Sequence, residues 1–305
     1  MMTKDNLPRL GRLRVHSILY GNEPHRISQA VAHLERAAHV ALEQGVFDSV
    51  ELAYGDCSPG DELRGTVLAQ ARENSALAGV EYHFFDANLG SAHGHNRLLN
   101  IGNSEFVIIM NPDIMMAPNA IVELARVFSD EKVGMAEAKQ LPIEHPKQYD
   151  VATGDTSWAA TACTLISREV LRALEGFDHQ TFFLYCDDVD FSWRVKLAGY
   201  RVLYCPAAAA FHDKRLGDGG EWNVGWAEKY YSAEAAMLLA YKYSRQDLAE
   251  EIHSYFKNSG DAVWLKAADE YARRKVAGEL PAQLDPAHKV AVFTNGAYAN
   301  HRFGM

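Results

Sequence analysis

The sequence has no excess of positive charge. Its 30 Lys and Arg stand against 40 Asp and Glu, a formal net charge of −10. A broad nucleic-acid-binding surface needs a basic face, so that class of partner is excluded. No apolar run is long enough to cross a bilayer, and the longest are strand-sized. The start, Met1-Met-Thr-Lys-Asp-Asn-Leu-Pro8, lacks the apolar core of a secretory signal. Cysteine is scarce: Cys57, Cys163, Cys186 and Cys205 show neither metal-binding spacing nor a dense disulfide framework, which predicts reduced thiols and a cytoplasmic location. No internal repeat or low-complexity segment is visible. What remains, 48% hydrophobic and 23% charged over 305 residues, suits a globular enzyme of one large α/β domain with an appendage, or of two small domains.

Strand-length apolar runs alternate with stretches of helical period. Residues 13–20 read as a buried strand stopped by Gly21-Asn-Glu-Pro24, and 27–44 carries an apolar stripe at helical spacing. Further strands are expected at 47–54, 80–85, 106–110, 133–138, 157–166 and 199–206, with one more at 289–293. Helices are expected at 61–75, from Ser91, at 120–130 and at 168–174, then at 226–243 and through 246–277. This alternation predicts an α/β fold with a doubly wound, mostly parallel sheet and a C-terminal helical extension. Ligands on such sheets sit at the carboxyl ends of the strands. The polar turns after Tyr20, Tyr54, Phe85 and Met110 all open there.

The densest chemistry lies in Tyr185-Cys-Asp-Asp-Val-Asp-Phe-Ser-Trp-Arg194, with three carboxylates in four residues. As a helix start it puts Asp187 and Asp188 in the first turn, where carboxylates complement the helix dipole. Val189, Trp193 and Leu197 would form an inward apolar stripe anchoring Asp188 as a general base requires. Asp190 reads two ways, as the i,i+4 partner of Arg194 or as a contact to an acceptor. A second acidic turn, Asn111-Pro-Asp113, follows a central strand. The segment 213–220 is rich in glycine, and Gly217, Gly219 and Gly220 would serve as hinges for a lid carrying Trp222 and Trp226.

Taken in order, several of these motifs resemble the inverting family 2 glycosyltransferases of the GT-A fold, in particular the bacterial rhamnosyltransferase-like branch. They are Tyr20-Gly-Asn22, Tyr54-Gly-Asp56, Asn88-Leu-Gly-Ser-Ala-His-Gly-His-Asn-Arg97, Asn111-Pro-Asp113, Gly176-Phe-Asp178, the acidic helix and His212. The resemblance spans roughly residues 13–245. It implies that Asp188 is the catalytic base, with Asp187 in place of the family's Glu beside it. Asp113 looks like the metal ligand of the family's Asp-x-Asp turn, and His212 like a further ligand, for Mg²⁺ or Mn²⁺. Asn111 departs from the first Asp of that turn and removes one charge. Asp56 resembles the residue that meets the pyrimidine, and Asn22 would lie beside the same nucleotide. Gly90 would admit the ligand closely, and Arg97 would reach the diphosphate. Trp158 opens what looks like the acceptor-side strand, where Thr161-Ala162 stands for the family's Gly-Ala; Asp190 and Trp222 complete the acceptor side.

The domain layout expected is a lead-in at 1–12, a GT-A glycosyltransferase domain at 13–221 and a helical extension with tail at 222–305. The function implied is metal-dependent, inverting transfer of rhamnose or a hexose from a dTDP- or UDP-sugar to a glycan or lipid-linked glycan in surface polysaccharide synthesis. The helix 226–243 would pack on the core, pair with a second copy of the chain, or rest on the inner face of a membrane. Two other readings are a glycan- or nucleotide-binding relative without turnover, for which Asn111 is the argument, and a nucleotidyltransferase. The latter wants a glycine-rich loop with Arg and Lys after the first strand, which Gly21-Asn-Glu-Pro-His-Arg26 does not supply.

Overall fold

The computed structural model describes residues 7–72, 75–143, 147–212 and 224–299. Strand β1 (Arg12–Leu19) is buried on both faces from Leu13 onward, as expected of a strand covered by helices on both sides. Pro24, with its preset φ, opens α1 (Pro24–Glu43), whose Ile27, Val31, Leu34, Ala38 and Ala41 recur at helical spacing in the core. The chain steps outward through β2 (Ser49–Asp56), α2 (Arg64–Leu68) and β3 (Gly79–Phe84). It then returns through α3 (Gly90–Leu99) and lays β4 (Phe106–Met110) on the other side of β1. That reversal of strand order leaves a crevice at the carboxyl ends of β1 and β4, the usual ligand position in an open α/β sheet.

The rest of the sheet comes from β5 (Ile114–Met116), β6 (Val133–Leu141), β7 (Cys163–Ser167) and β8 (Arg201–His212), with α4 (Ala120–Arg126), α5 (Arg168–Ala173) and α6 (Asp187–Leu197) between them. The strand order is β3-β2-β1-β4-β7-β6-β8-β5. Pairings β1–β2, β1–β4, β2–β3 and β6–β8 are parallel, and β4–β7, β6–β7 and β5–β8 are antiparallel. The sheet is therefore mixed and mostly parallel. Leu19, Asp56, Met110 and His212 all end strands at the same edge.

Beyond the sheet, α7 (Trp226–Lys242), α8 (Gln246–Lys257) and α9 (Ala262–Ala277) bundle together. Their cluster, with Met237, Tyr243, Phe256 and Tyr271 buried, is continuous with Phe182, Val189 and Trp193 around α6. No helix among the described residues is long and apolar enough to cross a membrane. The four cysteines are free and buried.

Several boundaries differ from the sequence reading. The helix expected at 61–75 is only the five residues of α2. Of 157–166, only the end from Cys163 is strand; Ala159 N–H instead donates to Ser192 Oγ (3.0 Å), tying this stretch to α6. Strand β8 runs past Pro206 to His212, because the register with β6 shifts between Cys205 and Ala209 and absorbs the proline in a bulge. No strand forms at 289–293: the amides of Lys289, Val290 and Ala291 donate to the Asp285 carboxylate. Leu197, expected in the inward stripe, is 41% exposed.

Candidate active site

Two consecutive left-handed residues, Tyr185 (φ 64°) and Cys186 (φ 56°), turn the chain into α6. Neither is glycine, so each costs on the order of 1 kcal/mol or more, a kind of local strain that clusters at functional sites. The buried Val189 and Trp193 anchor the helix. Its three first-turn carboxylates have different surroundings. Asp190 is fully buried and paired with Arg194 (2.8 Å) and Lys242 (2.6 Å). Asp187 is 5% exposed, and burial, then the charge of Asp188, push its carboxyl up to about 8. Asp188 is half-buried, its Oδ1 accepting the Val189 N–H at 2.8 Å. A solute can reach this carboxylate of the three.

The Asn111-Pro-Asp113 turn sits at the end of β4, where Asn111 N–H donates to the Ala162 carbonyl (2.9 Å). Register in β5–β8 pairs Ile114 with His212, which brings Asp113 Oδ1 to 3.5 Å from His212 Nε2. His212 Nδ1 lies 2.9 Å from Oε1 of the buried Gln140. An amide oxygen can only accept, so this pairing puts a proton on Nδ1 and leaves Nε2 facing the Asp113 carboxylate. A carboxylate and an imidazole oriented from behind are groups of the kind that can contribute to a divalent-cation site, though no cluster of three or more such ligands occurs among the described residues.

A cavity of about 410 Å³ lies over the crevice. From the sheet edge and α3 it is lined by Ile18, Tyr20, Cys57, Asn88, Gly90, Ser91 and Asn111, and from the segment before α6 and the start of α7 by Phe183, Leu184, Trp226, Ala227 and Tyr231. Gly90 has φ 69°, and a Cβ there would stand 2.3 Å from the Phe183 carbonyl oxygen, so only glycine lets the α3 N-terminus approach this closely. The first two turns are stitched together, Gly21 N–H donating to Ser58 Oγ (2.9 Å) and Ser58 N–H to Asp56 Oδ1 (2.8 Å).

No protein-family model matches the chain. It is 21% identical to rhamnosyltransferase WbbL of Escherichia coli, covering 57% of this chain and 81% of that one. It is 23% identical to O-antigen chain rhamnosyltransferase WbaN of Salmonella anatum, over 53% of this chain and 56% of that one. A 34% match to the N-acetylglucosaminyl-diphospho-decaprenol L-rhamnosyltransferase of Mycobacterium tuberculosis covers 20% of each chain. Among solved structures, mannosyltransferase PcManGT from Pyrobaculum calidifontis, in complex with GDP-Man and Mn²⁺, superposes with a TM-score of 0.59 at 17% identity, over 93% of this chain and 79% of that one. GalNAc-T7 with UDP, GalNAc and Mn²⁺ gives 0.62 at 11%, over 94% and 58%. At these identities the structures establish the fold, and the sequence relatives point to the rhamnosyltransferase-like type of family 2. The chain is a GT-A glycosyltransferase.

Five residues expected at the site are paired, covered or directed elsewhere in this structure. Asp190 makes the buried pair with Arg194 that was one of its two expected readings, and Tyr243 O–H also donates to it (3.1 Å). Trp158 is 4% exposed, covered by Lys147 Nζ, 4.1 Å from its ring centre, and edge-on to Tyr298. Arg97 is exposed in the last turn of α3 with its guanidinium 4.5 Å above the Phe85 ring, not among the residues lining the cavity. Asp56 is fully buried, accepting from Ser58 N–H and from Tyr82 O–H (2.6 Å), so it braces the turn. Asn22 is spent similarly, its Oδ1 accepting the Tyr20 N–H (2.8 Å). Trp222 and the glycine-rich segment lie outside the described residues. The sequence singles out neither Gln140, which lies behind His212, nor Tyr231, which lines the cavity.

Proposed function

We propose that this glycosyltransferase moves a rhamnosyl or hexosyl unit from a pyrimidine nucleoside diphosphate sugar, dTDP-rhamnose first, to a glycan acceptor with inversion. The observation carrying this reading is the order of groups at one sheet edge. The α3 N-terminus and Asn111 line the cavity, Asp113 and His212 stand on the neighbouring strand ends, and the chain leading to Asp188 closes it. The α3 amides would meet the diphosphate. Asp113 and His212 would hold Mg²⁺ or Mn²⁺, with Gln140 fixing the imidazole. The cation, when bound, supplies charge neutralisation on the departing diphosphate. Asp188 takes the proton from the acceptor hydroxyl, which attacks the anomeric carbon from the face opposite the leaving group. Burial and the neighbouring Asp188 charge raise the Asp187 carboxyl to about 8, so this adjacent pair resists carrying two negative charges near neutrality. A lipid-linked acceptor, the chemistry in the mycobacterial relative's name, would bring the protein to the inner face of the membrane.

The test is donor hydrolysis across UDP-, dTDP- and GDP-sugars with Mg²⁺ or Mn²⁺ and after EDTA. Release of one nucleoside diphosphate, lost with EDTA and reduced about 10²–10⁴-fold in Asp188→Asn, is expected. Metal-independent release, or an Asp188→Asn variant as active as the native chain, would refute the reading.

A further inference from the structure

Part of the cavity lining does not belong to the sheet. Trp226, Ala227 and Tyr231 come from α7 and meet Phe183 there. These rings are held by neighbours: Tyr231 is 4.8 Å from Phe183 and edge-on to Tyr230 at 5.0 Å, and Trp226 lies parallel to Tyr230 at 5.1 Å. Lys266 Nζ, from α9, stands 5.0 Å from the Trp226 ring. The cavity is thus lined by a fixed aromatic cluster from α7 and Phe183 together with strand-end turns and the α3 N-terminus, which Phe183 touches at Gly90. Asp56, the residue expected to grip the base, is fully buried with both oxygens taken.

We propose that α7 is the roof of the donor site, with Tyr231 and Trp226 stacking on the nucleobase while the α3 N-terminus takes the diphosphate. The assignment rests on the transferase reading above. It gives the base a binding surface that the closed Asp56 does not offer, and stacking tolerates any base because every base has a π-face. Sugar choice then falls to groups near Asn111 and Asp188, and the base contributes affinity.

Calorimetric titration with UDP and Mg²⁺ tests this, with inorganic pyrophosphate and Mg²⁺ as a probe without a base. In Tyr231→Ala the Kd for UDP should rise about 5- to 150-fold, as expected for one lost stacking contact. It should return toward the native value in Tyr231→Phe, and the pyrophosphate Kd should not move. Trp226→Ala, at a ring 52% exposed, gives the same readout with the least disturbance of the core. UDP binding at native affinity in both alanine variants would overturn the roof, as would equal losses for UDP and pyrophosphate. If the native chain binds pyrophosphate but not UDP, the roof fails alone; if it binds neither, the transferase reading fails beneath it.

Discussion

At the scale of single residues, environment divides three adjacent carboxylates into three tasks. Asp190 is locked in ion pairs, Asp187 is forced toward its neutral form and Asp188 stays accessible. Asp187 has a consequence for stability. Its folded-state value is raised to about 8, well above the unfolded carboxyl at about 3.9. Between these values the folded chain holds a proton that the unfolded chain releases, so the contribution is complete at low pH and is lost as pH rises toward 8. Urea midpoints of the native chain should thus fall across pH 5–8 more steeply than those of Asp187→Asn, by at most about 1.4 kcal/mol per pH unit. Parallel curves would show that Asp187 ionises normally. The place of Asp188 in the first turn of a helix was legible from the aromatic run before it. The choice facing Asp190 was not, because Lys242 and Tyr243 reach it from the end of α7, far along the chain. Gln140 was hidden for the same reason, since only the β6–β8 pairing puts it behind His212.

At the scale of elements, α6 is held by contacts that straddle the proposed domain boundary. Lys242, 6% exposed at its side chain, bridges Asp190 (2.6 Å) and Asp178 (2.7 Å), and its ammonium lies 5.4 Å from the Phe182 ring centre. The charges balance, two carboxylates against Lys242 and Arg194. Removing one partner of a buried pair leaves the other uncompensated, at a cost of about 3–5 kcal/mol. Lys242→Met should lower stability by about that much, while Lys257→Met at an exposed pair should change it by less than about 1 kcal/mol. Equal effects in chemical denaturation would mean that the lock is electrostatically idle. Elements with a strong period, such as α1 and the central strands, were readable because burial on regular faces leaves a pattern in sequence. Those that failed were governed by side chains bonding to backbone, Asp285 at 289–291 and Ser192 at Ala159, which no periodicity reports.

At the scale of the whole molecule, the sequence suggests a transferase domain ending near residue 221 with an extension attached, but the packing points to one cooperative body. The apolar cluster of α7, α8 and α9 includes Phe182, Val189 and Trp193 on the side of the proposed base. Trp193 is edge-on to Tyr243 at 4.6 Å and to Phe293 at 5.2 Å, so part of its cover comes from beyond the boundary. A buried Trp hides about 150–250 Å², and exposing it would cost about 4–6 kcal/mol at roughly 25 cal/mol per Å², before the loss of Lys242 from Asp190 is counted. That sum approaches the total stability of an ordinary domain, about 5–15 kcal/mol. A chain cut after residue 221 should therefore lack a sharp thermal transition and bind a hydrophobic dye, while the full chain unfolds in a single step. A truncated chain with its own cooperative transition would instead make the extension a separate module. In that case α6 would need no support from α7, and the proposed roof of the donor site would be a surface that the catalytic body can do without.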